Sequence, residues 1–243
     1  MAPGETSIEA ASEPPALEIF QNQWEVYRKF LVHDYLSNGK ASRVLRRFLT
    51  DEVKRPFRVL DLACGDSSNV VAALEGLPVE HYCGVDLSAP ALTFAQRNLA
   101  PLTCPVELVE ADFTSVLGDG VRTGDIVWIS LSLHHLDATD KLAFMNQVHA
   151  NMKSDGAFLI YEPTLRQGED RPAYLDRLED VGRREWTELS SREFSEAINH
   201  VRTCDLPETK SDWEAMGRDA GFSKFSELYA SHDDLFRLFL YRP

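Results

Sequence analysis

Apolar positions along the chain change period several times, and each change marks an element. Leu17, Phe20, Trp24, Tyr27, Phe30 and Leu31 recur at helical spacing, which predicts a first helix from 16 to about 35. Ser37-Asn38-Gly39 breaks that pattern, and Val44, Leu45, Phe48 and Leu49 carry a second helix. The period then shortens. Residues 57–62 form an apolar strand that ends in the turn Ala63-Cys64-Gly65-Asp66, with Ser67 or Ser68 as cap for a helix over 69–74. A second strand covers 82–86. Ser88 caps the helix after it, with Pro90 in the first turn and Phe94 and Leu99 on one face. Strands over 106–109, 125–132 and 157–161 follow, with a helix over 139–152 before the last. The continuous apolar run at 125–132 suits a strand buried on both faces.

Strands alternating with helices at short intervals predict an α/β fold with a doubly wound, mostly parallel sheet. The end of the chain differs. Strand-like runs at 224–229 and 235–241 are joined by only five residues, too few for a parallel crossover, so they form an antiparallel hairpin. Between Pro163 and Gly221 lies a mainly helical stretch. One crossover helix, over 211–220, accounts for part of it, and 164–209 is an insertion. The expected organisation is an acidic mobile tail over 1–15, lid helices over 16–50, and an α/β domain over 51–243 carrying the insertion.

The 243 residues suffice for a large core without disulfides or structural metal. With 25 Lys plus Arg against 39 Asp plus Glu, the formal net charge is −14. Such a surface repels polyphosphate, so nucleic acid and anionic membranes are not expected partners. No apolar run approaches the roughly 20 residues of a membrane span. Cys64, Cys83, Cys104 and Cys204 form no CxxC pair, and their spacings match no zinc site. No metal is expected, and with no signal peptide visible the expected location is the cytoplasm.

Three pieces of candidate chemistry follow three consecutive strands. The turn after the first strand would let a ligand approach backbone N–H groups at a helix N-terminus, with Gly65 permitting close contact. Asp86 ends the second strand 21 residues after Gly65, where nucleotide-binding sheets place a carboxylate for ribose hydroxyls. Asp112-Phe113 follows the third strand, an acceptor for an exocyclic amine beside a ring for a base. Taken singly, each has a plain structural explanation as a turn, a solvated strand end or a core ring. A nicotinamide dinucleotide is disfavoured, because its pyrophosphate wants the G-x-G-x-x-G turn and only one glycine is present here.

On these residues, and on the terminal hairpin, the chain from about 59 to 241 resembles the class I S-adenosylmethionine-dependent methyltransferases of small-molecule type. The resemblance implies a seven-stranded sheet and S-adenosyl-L-methionine as cofactor, with S-adenosyl-L-homocysteine as product. It implies that Asp61, Ala63 and Gly65 line the methionine and ribose part. It further implies that Asp86 binds the ribose hydroxyls, with Leu87 and Ser130 also at the cofactor, and that Asp112 and Phe113 hold the adenine. Ala63 and Ser67 stand where the family often has two further glycines. The segment from Val26 to Ser37 resembles the latch of related small-molecule methyltransferases, which makes Tyr35 a candidate to reach the cofactor.

The fourth strand ends Ser130-Leu131-Ser132-Leu133-His134-His135, at the crevice where open α/β sheets bind ligands. Methyl transfer needs an in-line nucleophile held close. An oxygen or ammonium nucleophile must also lose a proton, to which His is suited near neutral pH. His135 and His134 are therefore the candidate catalytic residues. If the chain there is extended, only one of them faces the substrate. Glu162 ends the fifth strand, and Trp186 and His200 lie in the insertion. With Trp24 and Tyr27 they are candidate substrate-binding residues under a lid. The expected activity is methyl transfer to oxygen or nitrogen of a small molecule. A protein side-chain methyltransferase and a non-catalytic cofactor-binding protein stay open as alternatives.

Overall fold

The computed structural model describes residues 24–117 and 124–243, without the side chains of Trp24 and Glu25. The acidic segment 1–15, the positions Leu17 and Phe20, and the ring of Trp24 lie outside the described residues. Helices α1 (Trp24–Val32) and α2 (Asn38–Glu52) precede the sheet. Then come β1 (Phe57–Leu62), α3 (Ser68–Leu74), β2 (Val79–Asp86), α4 (Ala89–Asn98), β3 (Val106–Glu110) and β4 (Ile126–Ser130). A short 3-10 turn, Leu133–His135, leads into α5 (Ala138–Asn151) and β5 (Ala157–Leu165). Helices α6 (Arg171–Glu185) and α7 (Ser191–Cys204) follow, then β6 (Glu208–Thr209), α8 (Lys210–Asp219), β7 (Lys224–Ala230) and β8 (Phe236–Arg242).

The main sheet runs β3-β2-β1-β4-β5-β8-β7, and the two-residue β6 pairs with the end of β5. The first five strands of that order are parallel, while β8 lies antiparallel to both β5 and β7. Side-chain alternation divides the core between the two faces. On β1, Phe57 and Val59 join one cluster and Leu60 and Leu62 the other; on β5, Leu159 and Tyr161 oppose Phe158 and Ile160. Contact is closest where α8 crosses β8. A Cβ on Gly217 would stand 2.4 Å from the Tyr241 ring, so glycine is what lets that helix seat.

The order of strands reverses between β1 and β4, which opens a crevice at their carboxyl ends. Helices α1 and α2 cover it from one side, and the inserted α6 and α7 from the other. The two covers are joined. Lys29 Nζ donates to both oxygens of Glu193 at 2.8 Å, Glu188 N donates to Tyr35 Oη at 2.9 Å, and the rings of Phe30 and Trp186 meet edge-on at 4.9 Å. Lys29 is the first cause, before the Ser190 cap, of a Glu193 carboxyl held down at about 2.

Four details depart from the sequence pattern. Helix α1 ends at Val32, three residues early, and Asp34 and Ser37 turn the chain in left-handed conformations. Asn38-Gly39 is the first turn of α2 rather than a break, with Gly39 N bonded to Asp34 Oδ1 at 2.7 Å. Neither Ser67 nor Ser68 caps α3: Ser68 is its first residue, and Ser67, at the cap position, is left-handed and turns its hydroxyl to Tyr82 Oη at 3.0 Å. Strand β4 stops at Ser130, because left-handed Leu131 leads into the 3-10 turn that carries both histidines.

Candidate functional site

A cavity of about 290 Å³ lies under the two covers. One end is the turn after β1. Ala63, Gly65 and Ser67 alternate in the left-handed region, at φ 53°, 54° and 57°. Gly65 adopts this conformation freely, whereas Ala63 and Ser67 store strain there that the surroundings must hold in place. Asp86 helps to hold it. Its Oδ2 accepts from Gly65 N and its Oδ1 from Ser88 N, both at 2.8 Å. Burial pushes the Asp86 carboxyl up, opposed by those N–H groups. Asp61 lies beneath, accepting a 2.5 Å bond from Tyr82 Oη, with its pKa pushed up by burial to about 7. Tyr27 from α1 brings its hydroxyl to 3.4 Å from where a Cβ on Gly65 would stand.

The opposite end is polar and carries the histidines. Glu162 is fully buried below them. Its Oε1 accepts from Ser132 N and Leu133 N at 3.1 and 3.0 Å, and its Oε2 from His134 N at 3.3 Å. With three backbone donors converging on it, the carboxylate acts as an acceptor. The 2.7 Å contact from His134 Nδ1 is therefore a donated N–H, which leaves His134 Nε2 with its lone pair. Burial raises the Glu162 carboxyl to about 7 against those same donors.

Asp205 completes this end. Its Oδ1 lies 3.6 Å from His134 Nε2 and 3.7 Å from His135 Nδ1, and it has no hydrogen-bond partner among the described residues. Burial pushes the Asp205 carboxyl well up, and the charge of Glu162 adds to that. Burial holds both His134 and His135 down at about 3, so both rings are neutral at physiological pH. The ring of His200, from α7, meets that of His135 edge-on at 5.7 Å.

Of the residues singled out in the sequence, Asp61, Ala63, Gly65, Asp86, Leu87, Phe113, Ser130, His134, His135, Tyr27, Trp186 and His200 line this one cavity. Tyr27 stands at the turn end rather than among the histidines. Three others do not line it. The Tyr35 hydroxyl accepts from Glu188 N between the two covers. The Asp112 carboxylate folds back on Thr114 N and Oγ1 at 2.8 and 2.7 Å. Glu162 stands one layer behind the wall. The expectation that only one histidine faces the cavity rested on extended chain. In the 3-10 turn both do, with ring centroids 4.1 Å apart. Asp205 was not singled out. The available signal was its place one and a half turns beyond His200, where the amphipathic α7 ends.

No lysine or arginine is among the residues lining the cavity, whereas Asp61, Asp66, Asp86 and Asp205 are. For a nucleoside bearing a sulfonium and an amino-acid group, the fit is direct. Four carboxylates suit a cation, Gly65 allows backbone approach, and Phe113 with Leu87 offers apolar surface beside Asp86. No helix among the described residues is long and apolar enough to cross a membrane.

Residues 59–156 match the profile of a family described as a methyltransferase domain. A carboxy-S-adenosyl-L-methionine synthase of Geobacter metallireducens is 25% identical over 146 residues, which is 58% of either chain. The protein thus spans little more than half the length of that relative. Human N-acetylserotonin methyltransferase, solved with S-adenosylmethionine, superposes with a TM-score of 0.64 at 16% identity, over 96% of this chain and 60% of that one. The plantazolicin methyltransferase BamL, solved with a substrate analogue and S-adenosylhomocysteine, gives 0.65 at 13% identity, over 93% and 94%. The chain thus carries a segment similar to a methyltransferase domain over 59–156, and its fold is similar to that of methyltransferases solved with S-adenosylmethionine or S-adenosylhomocysteine.

Proposed function

We propose that the protein transfers a methyl group from S-adenosyl-L-methionine to an oxygen or nitrogen of a small, largely apolar molecule that carries no negative charge. One observation supports this most strongly: a single covered cavity runs from the strained turn and Asp86 to a neutral histidine pair, with no cationic side chain among its lining residues. An acceptor bearing phosphate or carboxylate would meet only carboxylates and neutral groups there, which disfavours it electrostatically. A cavity covered by two sets of helices suits a small molecule better than a protein side chain or a nucleic acid. Four cysteines without a disulfide fit a reducing cytoplasm.

The donor, when bound, supplies an electrophilic methyl group and leaves as a neutral thioether. The chain's own residues do the rest. Asp86 would take the ribose hydroxyls with the lone pairs that Gly65 N and Ser88 N leave unused. Ala63, Gly65 and Asp61 would line the methionine part, Leu87 and Phe113 the base, with Ser130 also on the cofactor side. Trp186 and Tyr27 would exclude water, which strengthens every polar interaction inside. His135, neutral because it is buried, would accept the proton of an acceptor hydroxyl or neutral amine as the transfer makes that proton acidic, and His200 would help to seat that acceptor. His134, clamped between Glu162 and Asp205, is a positioning residue in this scheme.

The test is turnover of the donor to S-adenosylhomocysteine across a panel of apolar phenols and amines, with matched carboxylate and phosphate analogues. Turnover of the uncharged or cationic members alone is expected. Preference for the anionic analogues would overturn the substrate class.

A further inference from the structure

The acidic oxygen at the histidine end presents an unsolved problem in charge. Asp205 Oδ1 is buried, accepts no hydrogen bond among the described residues, and faces two imidazole nitrogens at distances too long for hydrogen bonds. A buried acceptor left without a partner is costly, and more so when it is charged. Three residues converge there, His134, His135 and Asp205, each with one ligand atom within 4.8 Å of the others. His134 Nε2 and His135 Nδ1 are the nitrogens facing Asp205 Oδ1. A tetrahedral ion with metal–ligand bonds of 2.0–2.2 Å has edges of about 3.3–3.6 Å. Two of the three edges, at 3.6 and 3.7 Å, therefore need only a few tenths of an ångström of contraction, and the third lies within 4.8 Å.

We propose that His134, His135 and Asp205 form a three-ligand site for a divalent transition-metal ion of the zinc class, with its fourth position open to the cavity. The surroundings are those of a built site. Glu162 accepts the Nδ1–H of His134, the carboxylate–histidine arrangement that fixes the tautomer and orients a metal-binding nitrogen. The same carboxylate pins the 3-10 turn through three backbone N–H groups. The Asp205 segment is pinned in turn. Leu206 N donates to His134 O at 2.7 Å, Arg171 Nε donates to Asp205 O at 2.7 Å, and the buried Lys141 Nζ donates to Leu206 O at 2.5 Å. His134 Nε2 keeps its lone pair because Nδ1 donates to Glu162, whereas His135 Nδ1 faces Cys204 O at 3.5 Å and must give up its proton to Nε2 for the ion to bind. Two neutral nitrogens and one carboxylate with an open position is a catalytic rather than a structural donor set.

This inference rests on the reading of the cavity as a methyltransferase site and changes one thing in it. With the ion bound, His135 is a ligand, and the ion acidifies the acceptor in its place. An acceptor hydroxyl at the open position would lose its proton to water and keep the electron pair on oxygen, ready to form the new bond to carbon.

The full-length chain, stripped with chelator, is titrated calorimetrically with Zn²⁺ and separately with S-adenosylhomocysteine. One Zn²⁺ per chain is expected. Asp205→Asn and His135→Ala should weaken it by about 100-fold or more, and Glu162→Gln by roughly 10–100-fold, as for loss of an outer-shell partner. Co²⁺ in the same site should show the intense visible bands of a four-coordinate ion. Circular dichroism melts check that each variant folds, and the wild-type titration decides the matter without any variant. Zn²⁺ binding that survives Asp205→Asn and is lost in His232→Ala would put the ion at the exposed Glu185–His232–Asp233 cluster and overturn the proposal. So would a wild-type chain that binds no Zn²⁺. If S-adenosylhomocysteine still binds in that case, the metal site alone falls. If Zn²⁺ binds and S-adenosylhomocysteine does not, the methyltransferase reading falls instead.

Discussion

At one end of the cavity, the turn from Ala63 to Ser67 and the carboxylate of Asp86 come from two paired strands, and their backbone N–H groups and oxygens satisfy one another. At the other end, His134 and His135 come from the turn after β4, Glu162 from β5 and Asp205 from the segment after α7. There, one oxygen is left without a partner among the described residues. The first end is complete as built and needs only a ligand that fits its shape. The second is held rigidly by Glu162, Leu206 and Lys141, yet it is unsatisfied, which is where preorganised chemistry is expected. The two ends share a wall but are built by different hydrogen bonds, so a substitution at one should leave the other's function intact.

The largest expected effect breaks this division at the histidine end. His135→Ala should lower turnover of any accepted substrate by roughly 10²–10⁴-fold, the contribution of a positioned proton acceptor. Cofactor affinity should stay within a factor of two or so, read by calorimetry. An equal loss of cofactor affinity would mean that the two ends are one unit. Next comes Asp86→Ala, which removes charge-assisted bonds to the ribose and should cost about 1.5–3 kcal/mol of S-adenosylhomocysteine binding. Unchanged affinity in that variant would remove Asp86 from the cofactor site.

A smaller effect is expected at the junction of the two covers. Lys29→Ala breaks a part-exposed ion pair with Glu193, which contributes about 0.2–1 kcal/mol, and the loss should show as a raised KM with little change in kcat. An unaltered KM would mean that the covers do not depend on each other.

The pH response separates the ends once more. Because burial lowers the pKa of His134 and His135, the unfolded chain binds their protons first as pH falls below about 6.5. That share of the stability is lost from there down towards pH 3, while the Asp61 and Glu162 carboxyls, raised by burial to about 7, take up protons in the folded chain first and act in the opposite direction. The melting-temperature difference between wild type and His135→Ala should therefore shift against the wild type as pH falls from 6.5. Turnover, by contrast, should not drop near pH 6.5 in the folded protein. A titration of the rate near that pH that disappears in His135→Ala would show that His135 is solvated rather than buried; one that persists in the variant belongs to Asp61 or Glu162.

Much of the first end was legible in the sequence because its parts are local. Gly65 and Asp86 follow adjacent strands at fixed spacing, and their chemistry needs only a turn and a strand end. The five parallel strands and the terminal hairpin were legible from period and loop length. The second end was half legible. The histidine pair announced itself, but its geometry did not, because left-handed Leu131 converts expected strand into a 3-10 turn that carries both rings to the cavity wall. The one local signal for Asp205 was its place just beyond His200 at the end of α7; it reaches the histidines only because α6 and α7 fold the insertion back over β5. Tyr35 and Asp112 were placed at the cofactor by resemblance, while the structure gives their polar atoms to Glu188 and Thr114. Short-range hydrogen bonds of that kind compete for polar side chains and leave no mark on sequence period.

The central claim, a cofactor end that works independently of the histidine end, is tested most directly by one set of calorimetric titrations. S-adenosylhomocysteine is titrated into the wild type, Asp86→Ala and His135→Ala. Micromolar binding to the wild type, about 8 kcal/mol, is predicted, with at least tenfold weaker binding to Asp86→Ala and unchanged binding to His135→Ala. Equal binding to all three, or none to the wild type, would contradict it.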